Sequence, residues 1–256
     1  MSAADALPPA QPRREYCAAR AQTPPIIDGD LTKSAWARAP WTEDFVDIEG
    51  DLKPRPAWRT RAKMLWDDEC FYFAAQMEEP RLWATLTERD SVIWKDNDFE
   101  VFLDPSMEAS NYYELEINAL GTEFDLCIPR PYREGATADH AWRIEGLGTA
   151  VNLDGELNNP SAPVPPGLGW SVEIAMPWGA FDRHTSTPRA PKLGDRWRVN
   201  FSRVNWDLRE KESKAGGERA VWEKVPEVPE HNWVWSPMGL IDMHLPLRWG
   251  EVVFGA

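Results

Sequence analysis

The run Thr60-Arg61-Ala62-Lys63-Met64-Leu65-Trp66 puts Ala62, Met64 and Trp66 on one side of an extended chain and Arg61 and Lys63 on the other. Successive side chains of a strand point to opposite faces, so this alternation predicts a strand with one buried side. Asp67-Asp68-Glu69 then supplies turn chemistry, and Cys70 to Met77 reads as the returning arm of a hairpin. The pattern recurs downstream. Phe99, Val101 and Leu103 oppose Asp98, Glu100 and Asp104, and Tyr113, Leu115 and Ile117 oppose Tyr112, Glu114, Glu116 and Asn118. Gly121 turns the chain into Glu123 to Ile128. Trp170, Val172, Ile174 and Met176 alternate with Ser171 and Glu173; Trp197, Val199 and Phe201 alternate with Arg198, Asn200 and Ser202; Glu251 to Phe254 closes the series.

About ten such strands with long connections predict an all-β protein, an antiparallel β-sandwich of jelly-roll type with a few short helices. Asp30 is placed to cap a helix from Leu31 to Ala37, and another turn is expected after Pro177. Residues 23–256 read as one domain, because the Pro-rich stretch from Asn158 to Gly169 is a loop and not a linker, and residues 1–22 read as a loosely held extension.

Composition narrows the function. With 42 acidic against 28 basic residues and a net charge of -14, the chain has no electrostatic footprint for phosphate backbones or anionic membranes, so neither nucleic acid nor a membrane is expected as partner. No window holds the roughly 20 apolar residues of a membrane span. The first residues lack a charged segment leading into an apolar one, which points to the cytoplasm unless that terminus is an engineered one. Cys17, Cys70 and Cys127 are odd in number and widely spaced, which suits buried thiols better than disulfides or zinc. The 15 tryptophans are the unusual feature. An indole is either core filling or an apolar platform with an N–H to place.

The polar positions of the strands, among them Asp98, Glu100, Glu114, Glu116, Asn118, Glu173, Asn200 and Ser202, would share one sheet face if the strands are neighbours. A solvated outer face is the plainer reading and a ligand-lined one the alternative. Nucleotide, zincin and serine-hydrolase signatures are absent, and none of His140, His184, His231 and His244 has a second ligand at metal spacing. Pairs two apart on a strand, Asp98/Glu100 and Glu114/Glu116, lie roughly 7 Å apart on one face. That falls within the separations of about 5 to 9.5 Å used in glycoside hydrolysis. Oxygen-rich turns at Asp28-Gly29-Asp30, Asp67-Asp68-Glu69 and Asp96-Asn97-Asp98 would suit calcium, although turn chemistry alone also explains them. A haem would need Met243 or His244 opposed by Met64 or Met77.

An ordered series of segments resembles the family 9 carbohydrate-binding modules and their relatives. It comprises Ile26-Ile27-Asp28-Gly29-Asp30-Leu31 with Ala35-Trp36, the hairpin from Ala62 to Tyr72, Trp94 to Asp104, and Tyr112 to Ala119. Trp170 to Trp178, Gly194 to Phe201 and His244 to Phe254 continue it. The resemblance implies a non-catalytic sandwich that binds a mono- or disaccharide unit or a glycan end, needs no cofactor for that binding, and often carries structural calcium. It implies a sugar held between two tryptophans and read by polar side chains. Trp94 falls at one platform, Glu100 at a hydroxyl-reading carboxylate, Asn118 beside it, and Arg219 at a binding arginine. The second platform falls on Met243, leaving Trp206, Trp222, Trp233 or Trp235 as loop substitutes, and an expected arginine is replaced by Glu116. Trp36, Trp66, Trp170, Trp178, Trp197 and Trp249 are expected in the core. The alternative to binding alone is an enzyme acting on a carbohydrate or related small molecule with Glu100 and Glu116 as acid and base; a haem-binding relative of the fold comes third.

Overall fold

A computed structural model describes residues 7–162, 164–181, 190–211 and 220–256. Its strands are β1 (Glu15–Arg20), β2 (Val46–Asp47), β3 (Thr60–Trp66), β4 (Cys70–Glu78), β5 (Asp98–Asp104), β6 (Tyr112–Asn118) and β7 (Glu123–Ile128). They continue as β8 (Gly148–Leu153), β9 (Gly169–Pro177), β10 (Arg196–Asn205), β11 (Leu208–Lys211), β12 (Val221–Lys224), β13 (His231–Val234) and β14 (Gly250–Phe254). The protein is a β-sandwich. One layer runs β7-β6-β5-β10-β14-β1 and the other β1-β3-β4-β9-β8; β13, with β2 beyond it, pairs with β10. Helical structure among the described residues is confined to short 3-10 turns, none long and apolar enough to cross a membrane.

The first correction concerns β1. Residues 1–22, expected as a loose extension, include a strand that belongs to both layers: Glu15 to Ala18 pair in parallel with β14, and Ala19 and Arg20 with β3. Tyr16 is buried and its hydroxyl donates to the Pro40 carbonyl at 2.7 Å. A strand that passes between sheets makes a corner of the sandwich. It also introduces two parallel pairings into an otherwise antiparallel fold. The second correction concerns Leu31 to Ala37, where a capped helix was expected. Asp30 instead accepts from the Thr32 amide at 2.8 Å in a local turn, and a 3-10 segment, Ser34–Arg38, follows with Trp36 buried. The expected thiol burial holds for Cys127, whereas Cys17 is exposed.

The alternation places the core as the sequence implies. Met64, Phe73, Phe99, Val101, Leu115, Ile117, Val172, Ile174 and Phe201 meet between the layers. A second cluster, including Ile93, Phe102, Tyr112, Phe124, Met243 and Trp249, covers the other face of β5 and β6. The polar positions on that face are therefore not a solvated surface. Segments 86–95 and 238–249 roof them over, and this burial makes their chemistry matter.

β10 aligns the region. Ser202 stands opposite Glu100 on β5, and β13 takes over on the far side of β10 at Ser202 to Asn205, beyond where β14 pairs.

Candidate functional site

Register brings the acids together. In the β5–β6 pairing Asp98 faces Asn118, Glu100 faces Glu116 and Phe102 faces Glu114. Directly opposed residues have Cβ atoms about 4.5–5.5 Å apart. One carboxylate oxygen from each of Asp98, Glu100 and Glu116 lies within 4.8 Å of the other two, and all three residues are buried. Above Glu100, Glu114 and Glu116 opens a cleft of about 440 Å³. One wall is Trp94, whose indole is 38% exposed on a 3-10 turn anchored by buried Ile93. Its amide donates to Glu116 Oε2 at 2.8 Å, which ties the platform to the floor. Tyr132, Asp242, Met243 and His244 line the same cleft.

The floor is electrostatically unusual. Burial pushes the Glu100 carboxyl up to about 7, against a smaller lowering by the Ser202 hydroxyl. Burial, reinforced by the neighbouring carboxylates, also holds Asp98, Glu114 and Glu116 well above the ordinary range. No Lys or Arg among the described residues lines the cleft. His244 offers no positive charge near neutral pH, because burial pushes its imidazole down to about 4.

Of the residues singled out in the sequence, Trp94, Glu100 and Glu116 meet at this cleft. Trp206 adjoins it differently. Its ring lies 6.5 Å from that of Trp94 at 17°, its Nε1 donates to the Trp94 carbonyl at 3.0 Å, and Lys224 sits over it at 3.3 Å. A ring sandwiched at carbon contact distance needs about 7–8 Å between platforms. At 6.5 Å the two indoles are too close to take a sugar ring between them, and Trp206 does not line the cleft. Trp235 is fully buried against Phe201, 5.9 Å between ring centres, so it is core and not a platform. Trp233 is buried under Arg203. Asn118 is corrected as well: its amide donates to Leu86 and Asp96, and its oxygen accepts from the amides of Leu120 and Thr122. With both groups engaged it organises the loop and presents nothing to a ligand. Arg219 lies outside the described residues. Met243 also lines the cleft, and Tyr132 adds an aromatic ring there that no periodic pattern announced.

Asp98 apart, the aspartates of the oxygen-rich turns already have protein donors. Asp67 accepts from the Glu69 and Cys70 amides and the Tyr72 hydroxyl, and Asp96 from the Thr85 and Leu86 amides, the Thr85 hydroxyl and Asn118. Asp28 and Asp30 serve Lys33 and their own turn. A haem pair does not form: Met64 and Met77 lie between the layers, remote in packing from Met243 and His244 at the cleft.

Residues 27–126, which carry both Trp94 and the acidic floor, match the family model described as carbohydrate family 9 binding domain-like. Over that stretch the chain is similar to this family. Solved structures share its fold. A candidate carbohydrate-binding protein from Bacteroides uniformis superposes with a TM-score of 0.66 at 17% identity, covering 95% of this chain and 100% of that one. A family 9 module from Caldicellulosiruptor kristjanssonii in complex with cellotriose gives 0.55 at 16% identity, covering 95% and 94%. The same module in complex with glucose gives 0.57 at 17%, covering 95% and 97%. A comparison with curated protein sequences finds no match. At these identities the likeness is one of fold, and the binding chemistry has to be read from the chain's own cleft.

Proposed function

We propose that the protein is a non-catalytic carbohydrate-binding module that takes a small saccharide or a glycan end into the cleft beside Trp94. The observation that carries this reading is an exposed indole sharing one cleft with buried carboxylates Glu100 and Glu116. A pyranose presents an apolar C–H face, which packs on an indole, and hydroxyls at its edge, which need charged or polar partners. Tyr132, Asp242 and Asn232 supply further polar groups in the wall. Binding of saccharides by the Caldicellulosiruptor module supports the same ligand class here. The net charge of -14 disfavours nucleic acid and anionic membranes.

Titrating mono- and disaccharides while following tryptophan fluorescence tests the reading. Trp94→Ala is expected to weaken binding by about fivefold or more, since stacking on one aromatic is worth about 1 kcal/mol or more. Unchanged affinity in that variant overturns the assignment. One feature favours a second reading, an enzyme with Glu100 and Glu116 as acid and base: burial pushes the Glu100 carboxyl up to about 7, the range in which a general acid or base operates. Analysing the same saccharide panel for products separates the two, because turnover lost in Glu100→Gln with binding retained would favour catalysis.

A further inference from the structure

Buried acids in this protein fall into two groups. Asp104 is paired with Arg198 at 3.0 Å, Asp125 with Arg89 at 2.9 Å, Glu79 with Arg203 at 2.9 Å and Glu173 with Lys33 at 2.7 Å. Asp67 and Asp96 make no ion pair with a described residue but are surrounded by amide and hydroxyl donors. Asp98, Glu100, Glu114 and Glu116 form the second group, for which no ion pair with a described residue is found. Two of their oxygens, Asp98 Oδ2 and Glu114 Oε2, are buried without any hydrogen-bond partner, and Asp98 is fully enclosed. Buried charge persists where it is paired or holds a metal, and four adjacent carboxyl groups with no ion-paired cation among the described residues are the exception that calls for one.

The arrangement is built for a cation. Asp98 Oδ1 is fixed by the Val204 amide at 3.1 Å, leaving Oδ2 free, and Glu116 Oε2 is fixed by the Trp94 amide at 2.8 Å. Holding one oxygen of a carboxylate while the other is left open is how outer contacts orient metal ligands. The three oxygens lie within 4.8 Å of one another. Two oxygens each about 2.3–2.6 Å from a calcium ion are at most about 4.6–5.2 Å apart, so one such ion can touch all three.

We infer that Asp98, Glu100 and Glu116 bind one calcium-sized divalent cation at the floor of the cleft, with Glu114 as a nearby counter-charge. Glu100 and Glu116 line the cleft, so the coordination positions not filled by protein face Trp94. A hard cation there accepts vicinal hydroxyls of a saccharide stacked on that indole. This last step rests on the saccharide-binding reading, whereas the ion site does not.

The test uses the full chain stripped with a chelator. Calorimetric titration with calcium chloride, without sugar, is expected to show one site. Terbium should occupy the same site and emit under tryptophan excitation, since Trp94 adjoins it, and calcium should quench that emission by displacement. Glu116→Gln and Asp98→Asn are expected to weaken calcium at least ~10-fold, whereas Asp28→Asn, in a turn elsewhere, leaves it unchanged. Near-ultraviolet circular dichroism establishes that each variant is folded. No heat and no sensitised terbium emission in the folded protein overturns the inference, as does loss of binding in Asp28→Asn with Glu116→Gln unaffected. Tighter binding of glucosamine than glucose with no response to calcium also overturns it, since an ammonium group would then be the missing cation. Saccharide titrations with chelator and with calcium separate the two readings. Sugar binding without a calcium response sinks the ion alone, and calcium binding without any sugar response sinks the saccharide alone.

Discussion

Glu173 and Glu116 occupy equivalent places in their strands, each an acid between apolar neighbours, yet their surroundings make them opposites. Glu173 Oε2 accepts from the amides of Asp28 and Gly29 and from Lys33, while Oε1 accepts from the Trp36 indole at 2.6 Å. Gly29 can approach this closely because φ is +86° and a Cβ there would meet the Asn152 backbone at 3.0 Å. Glu116 has backbone donors on one oxygen and carboxylates around the rest. Removing Glu173 by substitution with Ala leaves the Asp28 and Gly29 amides and the Trp36 indole N–H without their acceptor, while Lys33 keeps Asp28, and about 3 kcal/mol or more of stability should be lost in denaturant unfolding. Glu116→Gln removes a like charge, so in chelator-treated buffer it should raise the unfolding midpoint. A drop comparable to that of the Glu173 variant would show the acidic floor to be internally satisfied.

Elements differ in how well sequence marks them. β3 and β4 are legible to within a residue because each is long enough for alternation to repeat and their turn is acidic and polar. β2 and β13, with two and four residues, are too short for any period to register. β1 has alternation at Tyr16 and Ala18, but small side chains and a terminal position conceal a strand that joins the two layers. Its importance yields a prediction at this scale. Deleting residues 1–20 uncovers the edges of β14 and β3, and the truncated chain should lose cooperative thermal unfolding and aggregate. Retention of the full-length melting temperature would mean that β1 is dispensable. The site follows the same logic, since Trp94 and the acids lie on one contiguous legible stretch, while Tyr132 and His244 reach the cleft from separate loops.

At the scale of the whole molecule, ten of the fifteen tryptophans are buried, including all six expected in the core, so the anomaly of composition is mostly packing. Global stability should also carry the signature of His244, whose Nδ1 lies 3.3 Å from the Tyr112 hydroxyl and whose amide is held by Asp242. Its pKa falls from 6.5 to about 4 through burial. Between those values the unfolded chain binds a proton that the folded chain does not, so this contribution is whole above pH 6.5 and is lost as pH falls toward 4. The buried carboxyls, with raised values, act in the opposite sense. The melting temperature of the native chain minus that of His244→Gln, followed across this window, isolates the imidazole and should fall as the solution is acidified; a flat difference would place His244 in contact with water.

What the sequence determined by itself is the set of strands, their inward faces and the identity of the acids and the indole, because alternation is a local property that side-chain chemistry writes directly into the chain. Only the tertiary structure decided what covers the second face. Whether a strand's polar side meets water depends on loops far away in sequence, here those around Ile93 and Met243. They turned a face expected to be solvated into a buried, cation-poor floor beneath Trp94. They likewise engaged Asn118 with its own loop and Trp235 with the core. Burial and pairing are properties of the assembled molecule, and from them the chemistry of the cleft follows.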